Sequence, residues 1–278
     1  MANKQEIKTL VDQMPDPDRK GMLTENVNKE QIDKAVLALY EGGGASLREV
    51  IDLLDEPGSG KDAKPHYALH CVVNLALIEK DENKRRELCE TMASCLDGDL
   101  SDDNKAYLCQ ELQWAGREEA VSAFGELLLN ENLVEPAAMA LVAIEAGAVE
   151  QFQAALPKAK GKCRLNILDA LAALGDASAT AALSDALDDE DREIRLAAGA
   201  GLAKIGSAEA VDKFLKAADV EPGWERIQAT KHCLVLAEKL LETGNKDPAR
   251  KIYMHLRKSR TDPSESYVRF VATMALTK

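Results

Sequence analysis

A glycine that recurs about every thirty residues constrains the fold of this chain more than any other feature. Each glycine follows a short apolar segment typical of a helix end, where glycine adopts a left-handed backbone conformation more easily than other residues. The intervals are 31, 28 and 31 residues, and each interval leaves room for two helices. These glycines are Gly116, Gly147, Gly175 and Gly206.

The stretch 174–219 contains the clearest copy of this unit. A helical pattern over 178–187 is closed by an acidic cluster, and a second over 193–205 is closed by Gly206. A pair of helices cannot bury its apolar face alone, so neighbouring units stack and share one long core. The sequence therefore predicts an all-α fold, an α-solenoid (superhelix) of about seven to eight helical hairpins.

Basic and apolar residues also keep fixed places in the unit. A cation lies eleven residues before three of the four glycines, but Pro136 takes that place before Gly147. A leucine lies four residues before the same three glycines, which indicates a buried position. We therefore expect Leu202 and Ile205 in the core between repeats. The cations are Lys105, Arg164 and Arg195.

The segment DEDREIRLAAGAGLAKIG, residues 189–206, resembles the HEAT repeat of the phycobilisome-lyase type. That repeat has an acidic turn, a β-branched residue, an arginine, paired alanines and a Leu-x-x-Ile-Gly ending. The segment TDPSESYVRFVATMAL, residues 261–276, carries the same pattern, and the run from 106 to 278 looks like bacterial multi-HEAT regions.

The resemblance implies that the second helix of each hairpin lines the inner, concave wall. It also implies a ladder between repeats, formed by Arg195 with Asp191 and continued by Lys105, Arg164 and Arg269. We expect a single solenoid with degenerate capping repeats over 1–64, central repeats over 65–244 and a C-terminal capping repeat over 245–278.

Charge and hydropathy limit the possible partners and the compartment. The formal net charge of the 278 residues is −13. Nucleic-acid binding needs clustered lysine and arginine, so it is not predicted. No apolar run reaches the roughly 18 residues that a membrane span needs. Because the N-terminal sequence has no hydrophobic signal region, we expect a cytoplasmic protein.

The six cysteines and four histidines do not form a clear metal or catalytic motif. No Cys-x-x-Cys pair exists, so buried free thiols are predicted, with a disulfide between neighbouring helices left open. His66 and His70 share one helix face, but zinc needs three or four ligands and no neighbouring carboxylate is expected. The glycine-rich segment 58–61 lacks the spacing of a phosphate loop. We predict no metal, cofactor or catalytic residue.

A non-catalytic protein-binding scaffold is the function that these observations favour. Trp114 is the proposed anchor on the concave face, because exposed indoles often dominate protein interfaces. Trp224 is interpreted as stapling the turn before its helix. A chromophore-lyase-like enzyme subunit is the alternative, and a DNA-binding HEAT protein is a weaker one; neither the partner nor the oligomeric state follows from the sequence. The candidate binding residues are Gln110, Trp114, Asp169, Arg195 and Lys204.

Overall fold

The structure is a computed structural model that describes residues 4–17, 24–25 and 27–277, and helices make up most of it. These residues form 15 α-helices and four short 3-10 segments. The strand pairing among them joins β1 (Asp16–Pro17) to β2 (Thr24–Glu25). The predicted all-α solenoid is confirmed. No helix in the described ranges is long and apolar enough to cross a membrane.

The chain divides into two compact units, Met1–Gln151 and Phe152–Lys278. In the first unit, successive helices of each row pack against one another and against the other row. The first row holds α1 (Lys4–Val11), α3 (Gly43–Ile51), α5 (Glu82–Cys95) and the 3-10 segments Glu118–Phe124 and Leu127–Leu129. The second row holds α2 (Lys29–Glu41), α4 (Ala63–Glu79), α6 (Asp102–Ala115) and α7 (Val134–Ile144).

The second unit repeats this arrangement, and α8 (Ala148–Ala155) crosses the division between the units. Its first row holds α10 (Thr180–Ala186), α12 (Val211–Ala218) and α14 (Lys246–Ser259), with 3-10 turns at Ala177–Ala179 and Pro263–Glu265. Its second row holds α9 (Gly161–Leu174), α11 (Arg192–Ile205), α13 (Trp224–Glu242) and α15 (Ser266–Leu276).

Two of the recurring glycines end their helices as predicted. Gly175 and Gly206 close α9 and α11 with φ of 67° and 77°. Gly116 differs, because it follows α6 with φ −70° and ψ 154°, so the chain leaves this helix in an extended conformation. A Cβ at Gly116 would lie 2.5 Å from the Leu112 carbonyl oxygen, so close approach rather than backbone handedness favours glycine there.

Close packing of α9 against α11 depends on small residues. A Cβ at Gly201 would lie 2.8 Å from Leu183 Cδ1 and 3.0 Å from Ala172 Cβ, so this site has no room for a larger side chain. Leu202 is fully buried beside it, as predicted. Ile205 is only half-buried, so its predicted place in the core is wrong. It is the last residue of α11, where the chain turns away at Gly206.

Part-buried arginines link successive second-row helices of the second unit. Each arginine lies in the first turn of its helix and bonds an acidic side chain at or just before the start of the next second-row helix. The pairs are Arg164 Nε–Asp189 Oδ2 at 3.0 Å, Arg195 Nε–Glu225 Oε1 at 2.7 Å and Arg226 Nε–Glu265 Oε1 at 2.7 Å.

The predicted partner of Arg195 is therefore wrong. Asp191 instead caps α11, where its Oδ1 accepts a hydrogen bond from the Glu193 amide at 2.9 Å. This capping geometry occupies the carboxylate locally. Arg269 also departs from the expected ladder, since its Nη1 donates to the carbonyl oxygens of Arg260 and Asp262.

In the first unit a different arginine links successive elements, and it lies in the first row. Arg85 of α5 bonds the next first-row segment, Glu118–Phe124, whereas Lys105 does not make the expected link. The Arg85 side chain is almost fully buried, and its Nη1 lies 2.6 Å from Glu119 Oε1. Its Nη2 bonds Glu82 Oε1 at 2.6 Å, and Nη1 also donates to the carbonyl oxygen of Ala115. A buried charge of this kind is tolerated because its donors are satisfied.

Cys89, Cys95, Cys109 and Cys233 are buried free thiols, Cys163 is also buried, and Cys71 is partly exposed. Burial raises the pKa of Cys89 and Cys109 to about 12, so these thiols stay protonated at neutral pH. The prediction of buried free thiols is confirmed for the first four.

Leu202→Ala should lower the free energy of unfolding by about 2–5 kcal/mol, because it leaves a cavity between α9 and α11. Ile205→Ala is the matched control and should cost clearly less, since its side chain is already half exposed. Urea unfolding followed by circular dichroism measures both. Equal losses for the two variants would contradict the packing described here.

Glu265→Gln should destabilise the chain at neutral pH by about 1–3 kcal/mol, because it removes a charged partner of Arg226. The hydrogen bond from Arg226 lowers the pKa of Glu265 below its ordinary value. A lowered carboxyl pKa gives stability that is present above the unfolded pKa, about 4.3, and is lost as pH falls through the folded pKa. The difference between parent and variant should therefore shrink below about pH 4. Exposed Glu190→Gln should not show this pattern in the same unfolding series.

Candidate functional site

Large apolar side chains are exposed mainly on the second-row helices. Among the described residues, every exposed large apolar side chain lies on this row except Val27, before α2, and Met254, on α14. Trp114 is the most exposed aromatic residue, with 70% of its surface accessible. Apolar surface gathered on one row of helices within a unit is typical of an interaction site, whereas scattered exposure is ordinary.

The second row of the first unit contains a groove of about 580 Å³ between α4, α6 and α7. Its apolar lining includes Pro136 and Met139 of α7 and Ala106 of α6. Side-chain amides and carboxylates complete the lining. The amides belong to Gln110, Gln113 and Asn132, and the carboxylates to Asp62, Asp103 and Glu135.

One wall of this groove is held by His66 and Tyr107. Their rings meet edge to face with centroids 4.4 Å apart, and the Tyr107 hydroxyl donates to the His66 carbonyl oxygen at 2.7 Å. His66 Nδ1 lies 2.6 Å from the Asp62 carbonyl oxygen, which can only accept, so Nδ1 carries the proton. Burial raises the pKa of Tyr107. These groups therefore fix α4 to α6 and do not form a proton-transfer pair.

His70 has a neighbouring carboxylate, contrary to expectation. Its Nδ1 lies 2.9 Å from Oε1 of Glu111, which is almost fully buried on α6, and its Nε2 accepts from the Asn74 amide at 2.8 Å. Glu111 could not be predicted from the spacing around His70, because it comes from another helix, 41 residues away. Within the described ranges, no three histidine, cysteine, aspartate or glutamate side chains are grouped to hold a metal ion.

Gln110 and Trp114 both lie on α6 in the first unit. Gln110 is exposed and lines the groove. Trp114 follows one turn later and is exposed, but it is not part of the groove lining. Gly116 ends α6 two residues further on, so the indole stands at the end of the helix.

Three of the predicted binding residues, Asp169, Arg195 and Lys204, lie in the second unit. They differ in whether the side chain already bonds another part of the chain. The side chain of Asp169 on α9 is exposed, but the surrounding protein removes part of the water around its carboxyl. This desolvation raises the pKa of Asp169, and the negative charge of Glu193 raises it further. Arg195 is bound to Glu225. Lys204 is exposed, yet its Nζ donates to the Ala173 carbonyl oxygen and its stem lies against Gly175.

Four exposed residues of the second unit were not among the predicted binding residues. Trp224 and Ile227 lie at the start of α13 and are 59% and 54% exposed. Tyr267 and Phe270 lie at the start of α15 and are 56% and 67% exposed. Trp224 therefore does not staple its turn, because most of the indole contacts no other part of the chain.

A pattern in the sequence could have predicted these four exposed residues. Arg226 follows Arg195 by 31 residues and makes the equivalent bond to the next repeat. Aligned on Arg226 and Arg269, an aromatic residue lies two places before each arginine and a large apolar residue one place after it. The glycine spacing does not give this register, because α13 is longer than the other helices.

Part of the chain matches a known repeat family. Residues 149–234 match the family model of HEAT repeats. A comparison with curated proteins finds no match. Among solved structures, the chain is similar to a designed armadillo repeat protein in complex with the peptide (KR)4, at 19% identity, with 98% of this chain and 99% of that chain covered and a TM-score of 0.27. A second designed armadillo repeat protein has 19% identity, covers 98% and 100%, and has a TM-score of 0.25. The family match supports HEAT-like repeats over residues 149–234, and the rows of helices in each unit agree with an all-α repeat fold.

Purified protein should contain no stoichiometric zinc, because the ring nitrogens of His70 already bond Glu111 and Asn74 and zinc prefers four ligands. Elemental analysis of the untreated protein measures this. One equivalent of zinc that disappears in His66→Ala would contradict the prediction.

Proposed function

We propose that this protein is a non-catalytic scaffold that binds a protein or peptide partner on the second-row helices. The observation that carries the proposal is the exposure of large apolar side chains on that row and almost nowhere else in the described chain. A repeat protein offers a long surface of this kind without needing a reaction centre.

The indoles and phenyl rings are suited to anchor such a partner. Trp114 in the first unit, and Trp224 and Phe270 in the second, each expose more than half of their surface. Aromatic side chains bury a large area and lose little conformational freedom on binding, so they are enriched among the residues that dominate interfaces.

Among the other predicted residues, two are well placed to contact a partner. Gln110 is exposed one turn from Trp114 on α6, and Asp169 is exposed on α9, so both can form hydrogen bonds with a partner. Arg195 and Lys204 hold neighbouring helices together, so their substitution would confuse binding with folding. The groove next to Gln110 is lined by no lysine or arginine, which gives no support to the DNA-binding alternative.

The experiment begins with a photoreactive amino acid placed at Gln110 or at Trp114, with Met254 as the control position. Met254 is an exposed apolar residue on the first row, so it reports contacts away from the proposed surface. Crosslinked partners are identified by mass spectrometry, and a partner captured equally at all three positions is discarded as non-specific.

Trp114→Ala should weaken binding of that partner about thirtyfold, because an anchor at an interface centre contributes about 2 kcal/mol or more. Met254→Ala should leave the affinity unchanged. Isothermal titration with the purified partner measures both, after each variant is shown to unfold like the parent. Loss of affinity in Met254→Ala, with Trp114→Ala unchanged, would place the site on the first row and contradict the proposal.

A further inference from the structure

We propose that the groove between α4, α6 and α7 binds an extended peptide segment that carries lysine or arginine side chains. This inference rests on the protein-binding function proposed above and names the class of partner for the first unit. It follows from the charge, the apolar lining and the side-chain amides of the groove.

The charge of the groove is one-sided. Asp62, Asp103 and Glu135 line it, and no lysine or arginine does. Lys64, next to the lining residue Ala63, turns away and bonds Asp16 Oδ1 at 2.9 Å and the Asp12 carbonyl oxygen at 2.9 Å. Lys61 and Lys105 also adjoin lining residues in the sequence, but neither lines the groove. Carboxylates in a shared groove with no internal cation attract a positively charged occupant.

The lining also matches the two parts of a basic side chain. Lysine and arginine bury an apolar stem while they keep the charged group at a polar partner. Pro136, Met139 and Ala106 offer apolar surface for the stem, and the carboxylates of Asp103 and Glu135 offer the polar partner. The amides of Gln110 and Gln113 can bond the peptide backbone.

The amide side chains of the groove favour an extended segment over a helix. A helix satisfies its backbone donors and acceptors with its own hydrogen bonds, so they are not free to bond the side-chain amides. The groove is lined by three such amides, those of Gln110, Gln113 and Asn132. An extended segment is narrower and exposes its backbone groups to the amide side chains of the groove.

The test uses short fluorescent peptides in which alanine alternates with lysine, with serine or with glutamate, and measures their binding to the full chain by fluorescence anisotropy. The lysine peptide should bind most tightly, and its affinity should fall as salt is added. In the double variant Asp103→Asn, Glu135→Gln, the affinity should fall about tenfold, since two ion pairs are removed.

The matched control is the double variant Asp97→Asn, Asp99→Asn. It removes the same charge from exposed residues after α5 that do not line the groove. It should leave the affinity of the lysine peptide unchanged. Both double variants are first compared with the parent in urea unfolding, because Asp103 also lies in the first turn of α6.

Each other outcome overturns the inference in a recognisable way. Equal losses in the two double variants would mean attraction to the acidic chain as a whole. No binding of the lysine peptide would remove the proposed partner class. Tighter binding of the serine or glutamate peptide, still sensitive to the groove variants, would reject the basic class and keep the groove as a peptide site. The proposed function is tested separately, by the effect of Trp114→Ala on binding of the crosslinked partner.

Discussion

The bond from an arginine of one second-row helix to an acidic side chain at the next is the interaction on which the second unit depends. Arg195 illustrates its design, because Nε bonds Glu225 while Nη1 bonds the carbonyl oxygens of Asp189 and Glu190 in the turn before its own helix. One guanidinium therefore holds both the turn before α11 and the start of α13. Removing one partner leaves a part-buried charge unpaired, which costs more than the intact pair contributes.

Stacking in two rows also decides which surface remains free. A second-row helix buries one stripe against the first row and two more against its neighbours, so only one stripe remains in contact with solvent. The buried stripes are built from alanine, leucine and glycine, as at Gly201 and Leu202. Large apolar residues on the remaining stripe contribute little to folding, and binding is the use that best accounts for them.

The helices and their periodicity could be predicted from the sequence because those signals are local. Gly206 ends α11 and Asp191 caps it within a few residues, and both effects can be read along one helix. The partner of Arg195 could not be predicted in the same way, because Glu225 lies 30 residues away and Asp191 is nearer in sequence. The contact between Glu111 and His70 could not be predicted for the same reason, because the two residues are 41 positions apart. Trp224 was misinterpreted because a local role as a turn staple is plausible for an aromatic residue at a helix start, and its exposure follows only from the packing of α13.

The groove of the first unit coincides with a break in the repeat pattern. Pro136 occupies the place where other repeats have a cation, and it is tolerated there because it lies in the first turn of α7, where no backbone donor is needed for the helix. The loss of that cation has an electrostatic consequence, since no basic side chain of α7 lies beside Asp103 and Glu135. Because no lysine or arginine lines the groove, the carboxylates of Asp103 and Glu135 favour the basic partner proposed above.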